Sequence, residues 1–260
     1  MKGGYSSLLP LFPLIAISFA AVINGPPLIP AMFMFGDSVV AVGNNNKFYT
    51  IVKANFPPYG RDFKDHQPTG RFCNRKLAAD FTAENIGFTS YPPAYLDKKA
   101  KRKHPLIGAN FASCVFCKQL EYYKEYQVKL RNFAGEPNAT AIISCGLYLV
   151  SSGSSDFLQN YYINPLLYKN NLSNLTLVVL DIYQPLLDIV TNSSDYGFAE
   201  ARRACCGTGL VETSILCNPK SEGTCKNASQ YVFWDGFHPS EATNKILADD
   251  LLVRGISLIT

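Results

Sequence analysis

Three stretches of the chain are short and continuously apolar: residues 31–35 (AMFMF), 141–151 (AIISCGLYLVS) and 175–183 (LTLVVLDIY). Runs of this length without alternation suit strands covered on both faces, as in a parallel sheet sandwiched by helices. The first run is closed by Gly36-Asp37-Ser38 and the second by Gly153-Ser154-Ser155-Asp156. Between the runs the period changes. Over residues 118–133, Leu120, Tyr123, Tyr126 and Leu130 fall on one face at helical spacing, the pattern of a helix packing on a core. A last helix is expected over residues 240–253, with Ser240 as its N-cap and Pro239 ending the loop before it. Strands alternating with helices predict an α/β sandwich with a largely parallel sheet. Ligand sites in such sheets lie beyond the carboxyl ends of strands. The polar loops at 36–38 and 153–156 are therefore expected over one crevice.

The N-terminus has a pattern of its own. Lys2 precedes an apolar run over residues 8–23, with small residues Ser18, Ala20 and Ala21 after its centre. That is the layout of a secretory signal peptide over residues 1–25, cut between Ala20 and Gly25. Pro10 and Pro13 break the run and argue against a membrane span. No other segment is apolar for long enough to cross a bilayer, so a secreted protein is expected. The remaining 26–260 form one domain, since 260 residues suit one sizeable core and are short for two.

Cysteines and sequons point the same way. Eight cysteines suit an oxidising compartment. Cys205, Cys206, Cys217 and Cys225 cluster late in the chain and are expected to form disulfides, with three pairings open. Cys114 and Cys117 form a lone Cys-x-x-Cys with no second pair to complete a metal site, and no His/Asp/Glu cluster has ligand spacing. No metal is expected. Asn138, Asn171, Asn174, Asn192 and Asn227 each begin an Asn-x-Ser/Thr sequon, so a glycoprotein is expected.

Charge excludes one class of partner. A net charge of +4, with 24 basic against 20 acidic residues, is too mild for a nucleic-acid-binding surface. The one dense basic run, residues 98–103, is expected to be a solvated loop.

The candidate chemistry rests on few residues. A serine nucleophile needs a base within hydrogen-bond reach, and that base needs an orienting acid. Of three histidines, His66 sits in a polar turn and His104 ends the basic run; both are expected at the surface. His238 lies in an apolar loop just before the last helix, three residues after Asp235. A turn at that spacing brings the carboxylate to one imidazole nitrogen and leaves the other facing out. The bland alternative is an Asp235 that caps a turn beside a packed His238. Gly36-Asp37-Ser38 is equally an ordinary turn on its own. Its place at a strand end, followed by Gly43-Asn44-Asn45-Asn46, makes Ser38 the candidate nucleophile.

The same residues carry a resemblance. Phe35-Gly36-Asp37-Ser38-Val39-Val40 with Gly43-Asn44-Asn45-Asn46 resembles the opening block of the plant GDSL esterase/lipase family, within the SGNH hydrolases. Phe56-Pro57-Pro58-Tyr59-Gly60-Arg61-Asp62-Phe63 and Pro68-Thr69-Gly70-Arg71-Phe72 are similar to the family's next stretch, and Asp235-x-x-His238-Pro239 to its closing block. The resemblance implies a flavodoxin-like three-layer α/β/α sandwich with a mostly parallel sheet. It implies no cofactor, and a small-molecule or lipid ester as substrate. By carry-over, Ser38 attacks the ester carbonyl, His238 moves the proton, and Asp235 holds the imidazole.

This chain also departs from the pattern. The family's three oxyanion donors are the nucleophile's own N–H, a glycine N–H from a second block, and an Asn side chain. Here Ser155 stands in place of the Asn, and the second block, residues 108–113, runs directly into Cys114-Val115-Phe116-Cys117 with no glycine. After residues 161–166 a helix, a core strand and a further block are absent, so the sandwich is expected to be incomplete. Ala41 stands where Asp is usual. Two functions follow: a secreted serine esterase or lipase, or a catalytically impaired truncated relative. A disulfide-rich binding module around residues 205–225 is a third, minor reading.

Overall fold

The computed structural model describes residues 26–97, 105–113, 116–151, 179–207, 217–218, 220 and 223–256. Among the described residues three parallel strands form a sheet: β1 (Met32–Gly36), β2 (Gly108–Asn110) and β3 (Leu147–Ser151), in the order β2-β1-β3. Met32 pairs with Gly108 on one side and with Leu147 on the other, and Gly36 reaches Ser151. Among the described residues five α-helices accompany them: α1 (Ala78–Asn85), α2 (Phe116–Ala134), α3 (Glu136–Ser144), α4 (Tyr183–Thr191) and α5 (Glu241–Gly255).

Alternation along β1 explains the layers. Met32 and Met34 project to one face and join Ala79, Ala83 and Ile86, with Leu252 packed against them. Phe33 projects to the other and joins Tyr126, Leu130 and Ala139, with Phe35 packed at the margin. Thus α1 and α5 cover one face and α2 and α3 the other. The central strand is apolar at successive positions because both of its faces are roofed. This is the expected α/β sandwich with a parallel sheet, and the sheet is not closed. Strand β3 forms an edge among the described residues, with Val150 62% exposed.

Several expected elements differ in place. The run at 141–151 is two elements, not one strand. Its first part completes α3, where Ala139, Ile142 and Ile143 meet the core at helical spacing. Gly146 then lets the chain turn into β3 beneath the ring of Phe33, where a Cβ would lie 2.7 Å from Cε2. The expected strand at 175–183 is not found where it can be seen: residues 179–182 are irregular and Tyr183 opens α4. Asp181 Oδ1 accepts the Tyr183 N–H at 2.8 Å, so the aspartate acts as a helix-starting group. Residues 175–178 lie outside the described residues.

Helix α2 forms as expected, but its inner face is shifted. Leu120 is 57% exposed and Gln119 only 2%, so the core-facing row runs Gln119, Tyr123, Tyr126, Leu130. Helix α5 begins as read: the Ser240 hydroxyl accepts the Thr243 N–H. In the late cysteine cluster, Cys205 pairs with Cys225 and Cys206 with Cys217. Cys73 is a buried free thiol, and Cys117 and Cys145 are exposed free thiols. Asn138, Asn192 and Asn227 are exposed, as is His66. The signal segment, the basic run, His104, Cys114, Ser155 with its loop 153–156, Asn171 and Asn174 lie outside the described residues. No described helix is long and apolar enough to cross a membrane.

Candidate active site

The site begins at the carboxyl end of β1. Gly36 has φ 135°, and a Cβ there would lie 2.0 Å from the Ser151 carbonyl oxygen, so only glycine lets β1 and β3 approach this closely. The chain then leaves the sheet through Asp37 and Ser38. Asp37 Oδ1 accepts the Val39 N–H at 3.1 Å, and the Ser38 carbonyl accepts the Ala41 N–H. The Ser38 N–H itself donates to no acceptor among the described residues.

Two side chains fix this loop to the scaffold. Asn44 Nδ2 donates to the carbonyls of Asn110 (2.9 Å) and Ala112 (3.0 Å), while its Oδ1 accepts the Leu96 N–H. Asn110 Nδ2 in turn donates to the Val40 carbonyl at 2.7 Å. Gln119 grips the strand end from α2. Its Oε1 accepts the Gly36 N–H at 2.8 Å, and its Nε2 donates to the carbonyls of Gly36 (2.7 Å) and Ser113 (3.1 Å). These three buried amides pair with backbone groups on both sides of the nucleophile loop and so tie it to the sheet and to α2.

Asp235 and His238 arrive from a tight loop before α5. The Trp234 N–H donates to the His238 carbonyl at 2.8 Å, and the Ser240 N–H to the Val232 carbonyl at 2.9 Å, closing the loop on itself. Inside it, Asp235 is fully buried. Its Oδ1 accepts the backbone N–H groups of Phe237 (3.0 Å) and His238 (2.9 Å) and faces His238 Nδ1 at 2.7 Å. The other ring nitrogen, Nε2, lies 2.8 Å from Ser38 Oγ, across 200 residues of sequence. The sequence-predicted trio of Ser38, His238 and Asp235 is therefore adjacent in space and linked by hydrogen bonds. With the carboxylate on Nδ1, Nε2 is free to accept the serine proton.

Aromatic residues wall the acid and base. Phe72 stacks on the imidazole at 4.8 Å between centroids. Tyr59, buried at 1% exposure, donates its hydroxyl to Asp235 Oδ2 at 2.7 Å. Burial, and then the charge of Asp235, raise the affinity of that phenol for its proton. Tyr59 also lies edge-on to Trp234 and Phe72. Arg61 covers the Trp234 ring at 5.0 Å and donates to the Cys225 carbonyl at 2.7 Å, beside the Cys205–Cys225 disulfide. The disulfide-bonded segment supports the loop directly: Cys205 and Cys206 donate N–H groups to the carbonyls of Phe233 and Trp234.

Tyr59, Phe72 and Gln119 had no functional reading in the sequence. Tyr59 and Phe72 lie within motif segments, which was the one signal available for them. Gln119 reads as a polar position next to the apolar row and gave no signal.

The sequence profile of the GDSL-like Lipase/Acylhydrolase family matches residues 32–183 and 166–251. The chain belongs to this family. Its relatives include a GDSL esterase/lipase of Arabidopsis thaliana, 51% identical over 335 residues, covering 92% of this chain and 92% of the relative. A second from the same plant is 44% identical over 340 residues, covering 95% and 96%. The GDSL esterase/lipase APG, also of Arabidopsis thaliana, is 42% identical, covering 97% of each chain. These alignments run longer than the 260 residues of this chain, so its relatives carry segments that it lacks. Family membership places the protein among carboxylic ester hydrolases.

Proposed function

We propose that the protein hydrolyses carboxylic esters of small acyl or lipid substrates through Ser38, His238 and Asp235. The observation that supports this most directly is the 2.8 Å separation of His238 Nε2 from Ser38 Oγ, with Nδ1 held on a buried carboxylate. In the first half-reaction Ser38 Oγ attacks the ester carbonyl and its proton passes to Nε2. Asp235 stabilises the imidazolium. The tetrahedral intermediate collapses as Nε2 returns the proton to the leaving alcohol, and an acyl-serine remains. Water then attacks that ester by the same route and releases the acid. The Ser38 N–H, unengaged among the described residues, is the candidate donor to the oxyanion.

A second reading, a relative with an impaired site, is favoured by one specific observation. The Ser113 N–H, at the end of the second block, is committed to the Gly36 carbonyl at 3.1 Å. Loss of one oxyanion donor typically lowers kcat about 10²–10³-fold. Labelling with a fluorophosphonate probe, beside a Ser38→Ala control, separates the two readings. Labelling abolished by the substitution supports the hydrolase. A cooperatively folded protein that does not label leaves the family and removes the activity.

The reading extends to secretion of a single domain after removal of residues 1–25. Two disulfides and exposed sequon asparagines at 138, 192 and 227 suit an oxidising, glycosylating route. N-terminal sequencing of secreted protein tests it: a sequence starting at Met1 would end the proposal.

A further inference from the structure

We infer that Tyr59 is a positioning residue of this site: its buried hydroxyl clamps the second oxygen of Asp235, so that the carboxylate presents a fixed edge to His238. The inference rests on the hydrolase reading above and adds a member to it.

Asp235 has two oxygens with different partners. Oδ1 is held by two backbone N–H groups of its own loop, those of Phe237 and His238. Oδ2 lies 2.9 Å from His238 Nδ1 and receives one further donor, the Tyr59 hydroxyl at 2.7 Å. That donor comes from 176 residues away and belongs to neither the nucleophile loop nor the α5 loop. Without it, Oδ2 would be a fully buried carboxylate oxygen facing only the imidazole, and Oδ1 alone would hold the carboxylate to its loop. A buried anion lacking one of its donors is costly, and a donor that remains protonated prevents that.

The tyrosine ring is itself fixed. Phe56, Phe72 and Trp234 each meet it edge-on, with centroids 5.6, 5.8 and 6.5 Å away. Its hydroxyl is therefore aimed by packing and not by the bond it makes. Phe72 touches both Tyr59 and the His238 ring, so acid and base are held by one aromatic cluster. The titratable surroundings are few. Asp235 faces His238 and Tyr59; Tyr59 also feels the buried Cys73 thiol; His238 faces Asp235, Ser38 and the Phe72 ring; Arg61 lies over Trp234 and pairs with Asp62.

Two substitutions move the site in opposite directions. Tyr59→Phe leaves Asp235 less well solvated by hydrogen bonds, so the carboxylate attracts the imidazole proton more strongly. The acid limb of the pH–rate profile for fluorophosphonate labelling moves to higher pH, and the maximal rate falls about tenfold, the scale of one lost hydrogen bond to a charged group. Placing 3-fluorotyrosine at position 59 keeps the ring and strengthens the donor, and the limb moves to lower pH. A cooperative melt shows that each protein is folded. If Tyr59→Phe does not fold, the 3-fluorotyrosine protein carries the test alone.

The proton NMR resonance of His238 Nδ1–H gives a readout independent of activity. It shifts in both variants if Tyr59 tunes the carboxylate. Unchanged profiles and an unchanged resonance would overturn the inference. A wild-type protein that does not label would overturn the hydrolase reading instead, while the resonance still decides whether Tyr59 tunes Asp235.

Discussion

Phe72 lies nearly flat against the imidazole of His238, with planes 27° apart. The ring closes one side of the base to water and leaves Nε2 facing Ser38. Shortening it should therefore affect both stability and labelling. Phe72→Leu removes part of a fully buried side chain, and a loss of about 1–3 kcal/mol is expected for a core change of this size. Thermal melts of the two proteins measure it. The probe reaction at Ser38 should slow by more than the fraction unfolded explains, because the imidazole gains rotational freedom. Equal labelling rates for the folded fractions would show that packing on this face does not orient His238.

Gln119 gives a second expectation. It satisfies both the N–H and the C=O of Gly36, two residues before Ser38. Gln119→Leu fills the volume but strands the Gly36 N–H, at about 1–3 kcal/mol, while the Gly36 carbonyl keeps the Ser113 N–H. Stability to denaturant should fall by about 1–3 kcal/mol on that scale. Gln119→Glu should rescue only part, since a carboxylate cannot donate to the Gly36 carbonyl. Full rescue by Glu would mean that the N–H contact alone matters.

The sequence revealed the two ends of this site and little of what lies between. Ser38, Asp235 and His238 were legible as candidates because each lies in a short local motif, and the resemblance of those motifs to a family's blocks chose between a catalytic reading and an ordinary turn. The apolar stretch 31–35 was legible as a central strand because burial on both faces leaves no polar position. The run at 141–151 misled because Ala and Ile suit a buried helix as well as a strand, and only Gly146 marks the break. The run at 175–183 misled at its end because Asp181 starts a helix through its own side chain. Leu120 was placed inward by the helical period, but a phase shift of one residue turns Gln119 in. That glutamine is needed by Gly36, a demand that exists only once the strand and the helix have met. Tyr59 was invisible for the same reason, since its partner is 176 residues distant.

The disulfides should couple to activity through the loop they support. The segment holding Cys205 and Cys206 donates backbone hydrogen bonds to Phe233 and Trp234, directly before Asp235. Opening the Cys205–Cys225 bond also loosens the Cys225 carbonyl that anchors Arg61 over Trp234. Cys205→Ser with Cys225→Ser should cost about 2–4 kcal/mol. Treating the native protein with dithiothreitol should abolish labelling of Ser38, and reoxidation should restore it. Labelling that survives complete reduction, verified by thiol alkylation and mass spectrometry, would show that the Asp235 loop holds without its supports.

Alkaline stability should carry the signature of Tyr59. Burial, and next the Asp235 charge, raise its proton affinity in the folded protein, whereas an unfolded tyrosine titrates near pH 10, about the free value. Above that pH the unfolded chain loses a proton that the folded one keeps, so unfolding gains. The contribution is therefore complete below about pH 10 and is lost as pH rises beyond it, by at most about 1.4 kcal/mol per pH unit. Tyr91, Tyr126 and Tyr148 are shifted in the same direction, chiefly by burial, so the wild-type curve alone cannot be assigned. The difference between wild type and Tyr59→Phe can. Near neutral pH the variant should be less stable by about 1.5–3 kcal/mol, for the lost hydrogen bond to a charged acceptor. Above pH 10 the gap should narrow, because phenylalanine has no proton to lose. Urea titrations of both proteins between about pH 9 and pH 11, one unit either side of the free tyrosine value, measure it. A gap that stays constant across that range would mean that Tyr59 does not hold its proton more tightly when folded.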